Sequence, residues 1–357
     1  MLINSRENID DFLNHITRDV SQYKNENYVK KIYNMFSLCN INTIHRKKEK
    51  ILDPDNSFLV DKYFSSEIRK KVKNSNTKYE YTLISNNKKR NIVIRDYDNI
   101  GEKSIYYNYL HHIIFFVCFF DNLNVNYNND TLNIYIYLMN DNKYFINEGE
   151  IFQTKHINTG LSSKNKHGTI IIYRKEEWLK TLIHELIHSY EVDLYLFNTE
   201  IFKTIIPLDV EENEAYVETW ARILNIGYIT YIQNREFKDF KDVFIVLLEV
   251  ERLHSLMQGK RLLKSQNLKY KNIKNIKNFK EDTNTFCYYV VSSLFLFDYN
   301  LFMKTCEKYN KNLLITQSGI ENIYRLLDKE DKDLHYIDNL NINISEKYFR
   351  MSFIDMN

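Results

Sequence analysis

The chain has 357 residues, enough to bury one large core or two modest ones. Hydrophobic residues at 44% and charged residues at 27% exclude a disordered or fibrous chain and fit a soluble globular protein. With 49 basic against 47 acidic side chains, a net charge of +2, neither nucleic acid nor a membrane is expected as the main partner.

Only 7 Gly and 2 Pro punctuate the sequence, which favours long helices. Cys39, Cys118, Cys287 and Cys306 have no short repeated spacing, so reduced thiols are expected rather than a metal clip or a disulfide framework. The first twenty residues lack an apolar segment of the signal-peptide kind, and the expectation is an intracellular protein.

In chain order, apolar residues recur at helical spacing over Asn8–Lys24 (Ile9, Phe12, Leu13, Ile16) and Asn27–Cys39 (Val29, Ile32, Tyr33, Phe36). The Lys-rich stretch His45–Lys50 reads as a linker or solvated loop, and a further helix is expected over Ser57–Val72. Tyr79–Ser85 and Asn91–Arg95 alternate around an Asn-Asn-Lys-Lys turn, the pattern of a hairpin. Glu102–Phe120 is a mostly apolar helix, and its core, Ile113–Phe120, is too short to span a bilayer. Leu132–Met139 and Gly168–Tyr173 are strands. Lys175–Tyr190 is helical, with Glu176 and Glu177 suited to its positive N-terminal end. Helices then follow over Val210–Leu224, Asp239–Lys264 and Asn284–Tyr309. Strands followed by helices define an α+β fold with a mainly helical C-terminal half. Residues 1–75 are expected to be a helical N-terminal segment, either a cap or a subdomain, and 76–357 the catalytic domain.

The chemistry is concentrated in His184-Glu185-Leu186-Ile187-His188. Residues four apart share a helix face, so both imidazoles can reach one ion, and Zn²⁺ accepts such nitrogen ligands. Glu185 projects beside that face, where it can act as general base on a water activated by the metal. Leu182, Ile183, Leu186 and Ile187 are apolar while Thr181, His184, Glu185 and His188 are polar. That stripe marks a buried helix with its polar groups on one side.

A catalytic site needs a third protein ligand. Ser189 to Leu194 supply no third His, so the candidates are Glu211, Glu212, Glu214 and Glu218. Asp209 reads as a helix N-cap with Glu212 as its capping-box partner. Glu214 and Glu218 then share a face, and Arg222 lies four residues beyond Glu218. Glu214 is the preferred ligand and Glu211 the fallback; the alternative for Glu218 is a surface pair with Arg222.

His184-Glu185-x-x-His188 followed by Asn213-Glu214-Ala215-Tyr216-Val217-Glu218 resembles the gluzincin pattern of thermolysin-like peptidases. Glu214 falls 26 positions after His188, a longer gap than in thermolysin itself. The resemblance implies a zincin-like fold, a small twisted sheet packed on the HELIH helix, with Glu218 behind His184 fixing its tautomer. The segment IIIYRKEEWLKTLIHELIH is also similar to predicted zincins of large DNA viruses, and the abundance of Tyr, Phe, Asn, Ile and Lys suits AT-rich coding. The resemblance covers about Leu132 to Leu224.

Zincins bind substrate on an edge strand before the active-site helix, a role open to Gly168–Tyr173 or, if that strand is central, to Leu132–Met139. His254, Tyr288 and Tyr289 are the candidates for an oxyanion donor, although such residues more commonly sit in cores. The expected function is zinc-dependent endopeptidase action on a protein or peptide substrate. The alternatives are a zinc hydrolase acting on another bond and a catalytically degenerate zincin used as a binding scaffold.

Overall fold

A computed structural model of the chain describes residues 27–39, 45–47, 65–85, 88–99, 102–123, 130–146, 150–163, 168–195, 200–317, 321–340 and 349–356. The helix expected over Asn8–Lys24 and the first half of the one expected over Ser57–Val72 lie outside them; the second half is helical, within Ser66–Asn74. The architecture is mixed α+β, a sheet with helices against both faces and a helical C-terminal half.

The strands are β1 (His45–Lys47), β2 (Asn76–Ser85), β3 (Lys88–Asp96), β4 (Thr131–Met139), β5 (Gly160–Ser163) and β6 (Thr169–Arg174). They form one sheet in the order β1-β2-β3-β4-β6-β5. β3, β4 and β6 run parallel in the middle, and the outer pairings are antiparallel. Side chains alternate between faces with a period of two. Ile92, Ile94, Ile134, Ile136, Ile170 and Ile172 therefore enter the main core, while Val93, Tyr135, Tyr137, Ile171 and Tyr173 enter a smaller one.

The main helices are α1 (Asn27–Ser37), α2 (Ser66–Asn74), α3 (Lys103–Asn122), α4 (Trp178–Ser189), α5 (Asn213–Gln233) and α6 (Phe237–Ser265). Through Ile68 and Val72, α2 covers the smaller core. The apolar residues of α3, α4, α5 and α6 fill the larger one, and α1 joins it through Tyr28, Val29, Ile32 and Phe36. Helix α4 is buried on nearly every side. Among the described residues, no single helix is long and apolar enough to cross a membrane.

Several expectations change. Gly168–Tyr173 is a central strand, as is Leu132–Met139, and the edge next to β6 is the four-residue β5. β5 was missed because Gly160-Leu-Ser-Ser carries neither β-branched residues nor a clear alternation. His45–Lys47, read as loop, pairs with β2 at the opposite edge. The helix expected over Asn284–Tyr309 is broken: a π-helical turn, Phe286–Val291, leads into Ser292–Phe297, and Tyr299–Tyr309 then departs at 90°. Asp298 makes that corner by accepting from the Leu301 N–H.

Gly160 lets β5 approach. A Cβ there would lie 2.5 Å from Ile172 Cδ1, 2.7 Å from the Ile171 carbonyl oxygen and 3.1 Å from Thr181 Cγ2. The strand thus lies against the α4 turn that precedes Glu185. Gly160→Ala should destabilise the protein by roughly 1–3 kcal/mol, read from urea unfolding, because backbone rather than a pliable side chain would have to move.

Candidate metal centre

Helix α4 starts directly after the central strand β6. Glu177 occupies its N-cap with a left-handed backbone, φ 56°, and its side chain makes no cap hydrogen bond. The carboxylate instead meets Lys143 Nζ at 2.6 Å and accepts from the Met351 and Ser352 amides. Glu176 pairs with Arg350 at 2.8 Å. The two acids expected to serve the helix end hold the last described segment of the chain instead.

The other end of α4 closes in a Schellman turn. Val192 N–H donates to the Ile187 carbonyl at 3.1 Å and Glu191 N–H to that of His188 at 3.0 Å. Glu191 takes the left-handed conformation, φ 55°, usually given to glycine. This reversal carries Asp193 back to the helix, where its Oδ2 accepts from His188 Nδ1 at 2.9 Å. Asn213, the first residue of α5, also donates to that oxygen, at 3.1 Å.

The start of α5 differs from the expected one. Asp209 is solvent-exposed and paired with Lys203, so it caps nothing, and Glu212 stands at the N-cap without a side-chain cap bond. With the helix starting at Asn213, Glu214 lies in its first turn and Glu218 one turn on. Glu214 Oε2 is 3.1 Å from His184 Nε2 and 3.4 Å from His188 Nε2, and the two nitrogens are 3.2 Å apart. Glu218 is buried. Its Oε2 accepts from His184 Nδ1 at 3.1 Å, while Lys180 Nζ reaches both its oxygens at 2.9 and 3.0 Å. Arg222 Nε donates to Oε1 at 3.0 Å, so the Glu218–Arg222 pair exists but in the interior.

These contacts determine what the centre can hold. Both Nδ1 atoms face carboxylates, so in the neutral form each imidazole keeps its proton there and a lone pair on Nε2. Two nitrogen lone pairs and a carboxylate oxygen converge within 3.4 Å and repel unless a cation lies among them. Ligands about 2.0–2.1 Å from one tetrahedral ion lie about 3.3 Å from each other, which matches this triangle. His184, His188 and Glu214 form a buried group that could hold a metal ion. Their side chains are 7%, 12% and 12% exposed, so the group is not sealed from solvent.

The protonation energetics point the same way. Burial works against a charge on His188, yet Glu214 and Asp193 outweigh it and raise the imidazole well above its ordinary range. Burial likewise opposes a charge on His184, and the hydrogen bonds it donates to Glu214 and Glu218 overcome it. Burial alone would push the Glu214 carboxyl up, but His188 and His184 hold it far below the carboxylate range. Glu218 is held down against burial by Lys180 and Arg222. The centre attracts positive charge.

The remaining candidates separate clearly. The Tyr288 ring lies 5.8 Å from that of His184. Its phenol is pushed up first by burial and then by Glu214 and Glu185, and so stays protonated. The π-helical turn directs the adjacent Tyr289 elsewhere: its hydroxyl donates to the Phe349 carbonyl and its ring stacks on Phe349. His254 donates from Nε2 to the Arg350 carbonyl at 3.2 Å. Neither reaches the metal group. Glu211 Oε2 accepts from Asn284 at 2.8 Å, away from the two histidines. Asp193 was missed by sequence reasoning. The available signal was an acid just past the second histidine, meaningful only once the helix is known to reverse there.

Comparison with protein-family models, curated proteins and solved structures gives no match, so the centre is defined by this chain's own residues.

Two outcomes test this account. Asp193→Ala should weaken metal binding about 10–100-fold in a chelator competition, whereas Glu211→Ala should leave it unchanged. Metal content controlled by Glu211 would transfer the third-ligand role to it. Separately, burial pushes His254 down to about 3, so the folded ring stays neutral while the unfolded chain takes up a proton below about 6.5. Stability therefore falls as pH drops through that range. Replacing His254 with Gln should remove about 2 kcal/mol of the loss between pH 7 and 5, measured by urea unfolding at both pH values.

Proposed function

We propose that the chain is a zinc-dependent peptidase on a zincin-like fold, with His184, His188 and Glu214 as ligands and Glu185 as general base. The observation that carries this reading is the ligand triangle together with Glu185 on the same helix. Among the described residues no group holds the Glu185 carboxylate by a hydrogen bond, although the residue is only 7% exposed. A purely structural site has no use for such an acid, which disfavours the scaffold alternative.

When bound, zinc supplies a Lewis acid that polarises a carbonyl and lowers the pKa of a water. The chain's residues do the rest. Glu185 takes the proton of the attacking water and returns it to the leaving amine. Glu218 and Asp193 hold the two imidazoles in the tautomer that offers Nε2. Tyr288, protonated and beside His184, is the donor for the developing oxyanion. Among the described residues β5 is the last strand of the sheet, a position that suits pairing with an extended chain and so favours a peptide over other hydrolysable substrates.

Glu185→Gln should retain stoichiometric zinc and lose at least about 100-fold in turnover on a peptide library. A variant as active as the wild type toward every cleaved peptide would refute the assignment.

A further inference from the structure

The segment Phe349–Met356 is tied to the groups that stand behind His184. Phe349 stacks on Tyr289 with ring centroids 4.3 Å apart and on Phe152 at 4.9 Å. The Met351 and Ser352 amides donate to the two oxygens of Glu177 at 3.3 and 2.6 Å. Ser352 Oγ and the Phe353 amide donate to Glu251 Oε2 at 3.0 and 2.9 Å. Met351 Sδ lies 3.3 Å from Lys180 Nζ, the ammonium that holds Glu218.

Lys143, Lys180 and Arg222 here face Glu177, Glu218 and Glu251, and each of the six is at most 3% exposed. Buried carboxylates remain charged only where donors satisfy them. The segment donates to both oxygens of Glu177 but only to Oε2 of Glu251, whose Oε1 has no hydrogen-bond partner among the described residues, and burial pushes the Glu251 carboxyl up to about 7. Without these amides, Glu177 and Glu251 would compete for cations now on Glu218. Lys180 already acts electrostatically on Glu177, and Arg222 Nε is 3.8 Å from Glu251.

We propose that Phe349–Met356 is a positioning strap for the metal centre. By donating to both oxygens of Glu177 and to Oε2 of Glu251 it leaves Lys180 and Arg222 on Glu218, which fixes the imidazole of His184 for the metal. The inference rests on the ligand assignment above and does not require that the chain cleave peptides.

The test uses the full chain as wild type, Phe349→Ala, Lys180→Met and the double variant, with Zn²⁺ affinity measured by chelator competition. Phe349 meets the rings of Tyr289 and Phe152 whereas Lys180 meets Glu218 and Met351, so independent effects would multiply. Each single change should weaken zinc about tenfold, and the double variant should be no weaker than about the stronger single one. Both single variants should move the His184 Nδ1–H resonance, which loss of packing alone would leave in place, and Lys180→Arg should restore most of the affinity. Folded single variants that bind zinc like the wild type, or a double variant weakened about 100-fold, would overturn the proposal. Should Phe349→Ala fail to fold, Ser352→Ala, which removes one donor from Glu251, takes its place under the same criteria. A wild-type chain that binds zinc and cleaves nothing overturns the peptidase reading alone; one that binds no zinc overturns both.

Discussion

The hydrogen bond from His184 to the buried Glu218 is the contact on which the rest of the site depends. A carboxylate at 1% exposure is tolerated only if its charge is matched, and here two cations and an imidazole N–H match it. Each donor comes with further obligations. Lys180 ties Glu218 to the first turns of α4, and Arg222 reaches Ser255 of α6 and the Tyr288 carbonyl of the π-helical turn. One outer carboxylate thus locks the two helices that carry the candidate metal group, the helix behind them and the turn that carries Tyr288.

His188 is held by a different device. Its carboxylate, Asp193, arrives through a reversal of the chain at the end of the same helix, and Asn213 at the head of α5 steadies it. The two imidazoles are therefore oriented separately, one by a neighbouring helix and one by the C-terminal turn of α4. Glu214 enters from the first turn of α5, one helical turn from Glu218, so a single helix provides both the inner and the outer acid. The rigidity behind this comes from the sheet: β6 delivers the chain into α4, and Ile170 and Ile172 pack in the same core as its apolar face.

Much of this was legible because it is periodic. The strands β3, β4 and β6, the helices α3 to α6 and the HELIH stripe all follow from apolar spacing of two or of three to four residues. The failures share a cause. The edge strand Gly160–Ser163 has no pattern of its own and exists because β6 offers a partner. The corner at Asp298 interrupts a run of helix-compatible residues, and no Gly or Pro announces it. Asp209 is a good cap in isolation, but the helix begins where Asn213 can reach Asp193, four residues further on.

By itself the sequence determined the pair of histidines and the acid between them, because helical spacing alone places them on one side of one turn. It also narrowed the third ligand to a few acids on the next helix and made Glu214 and Glu218 share a face. Which acid meets the imidazoles, which stands behind them and which faces solvent was decided only in three dimensions. Those choices depend on desolvation and on charges brought together from positions as distant as Lys143, Glu251 and Ser352. A buried charge takes its value from neighbours that have no fixed place in the sequence.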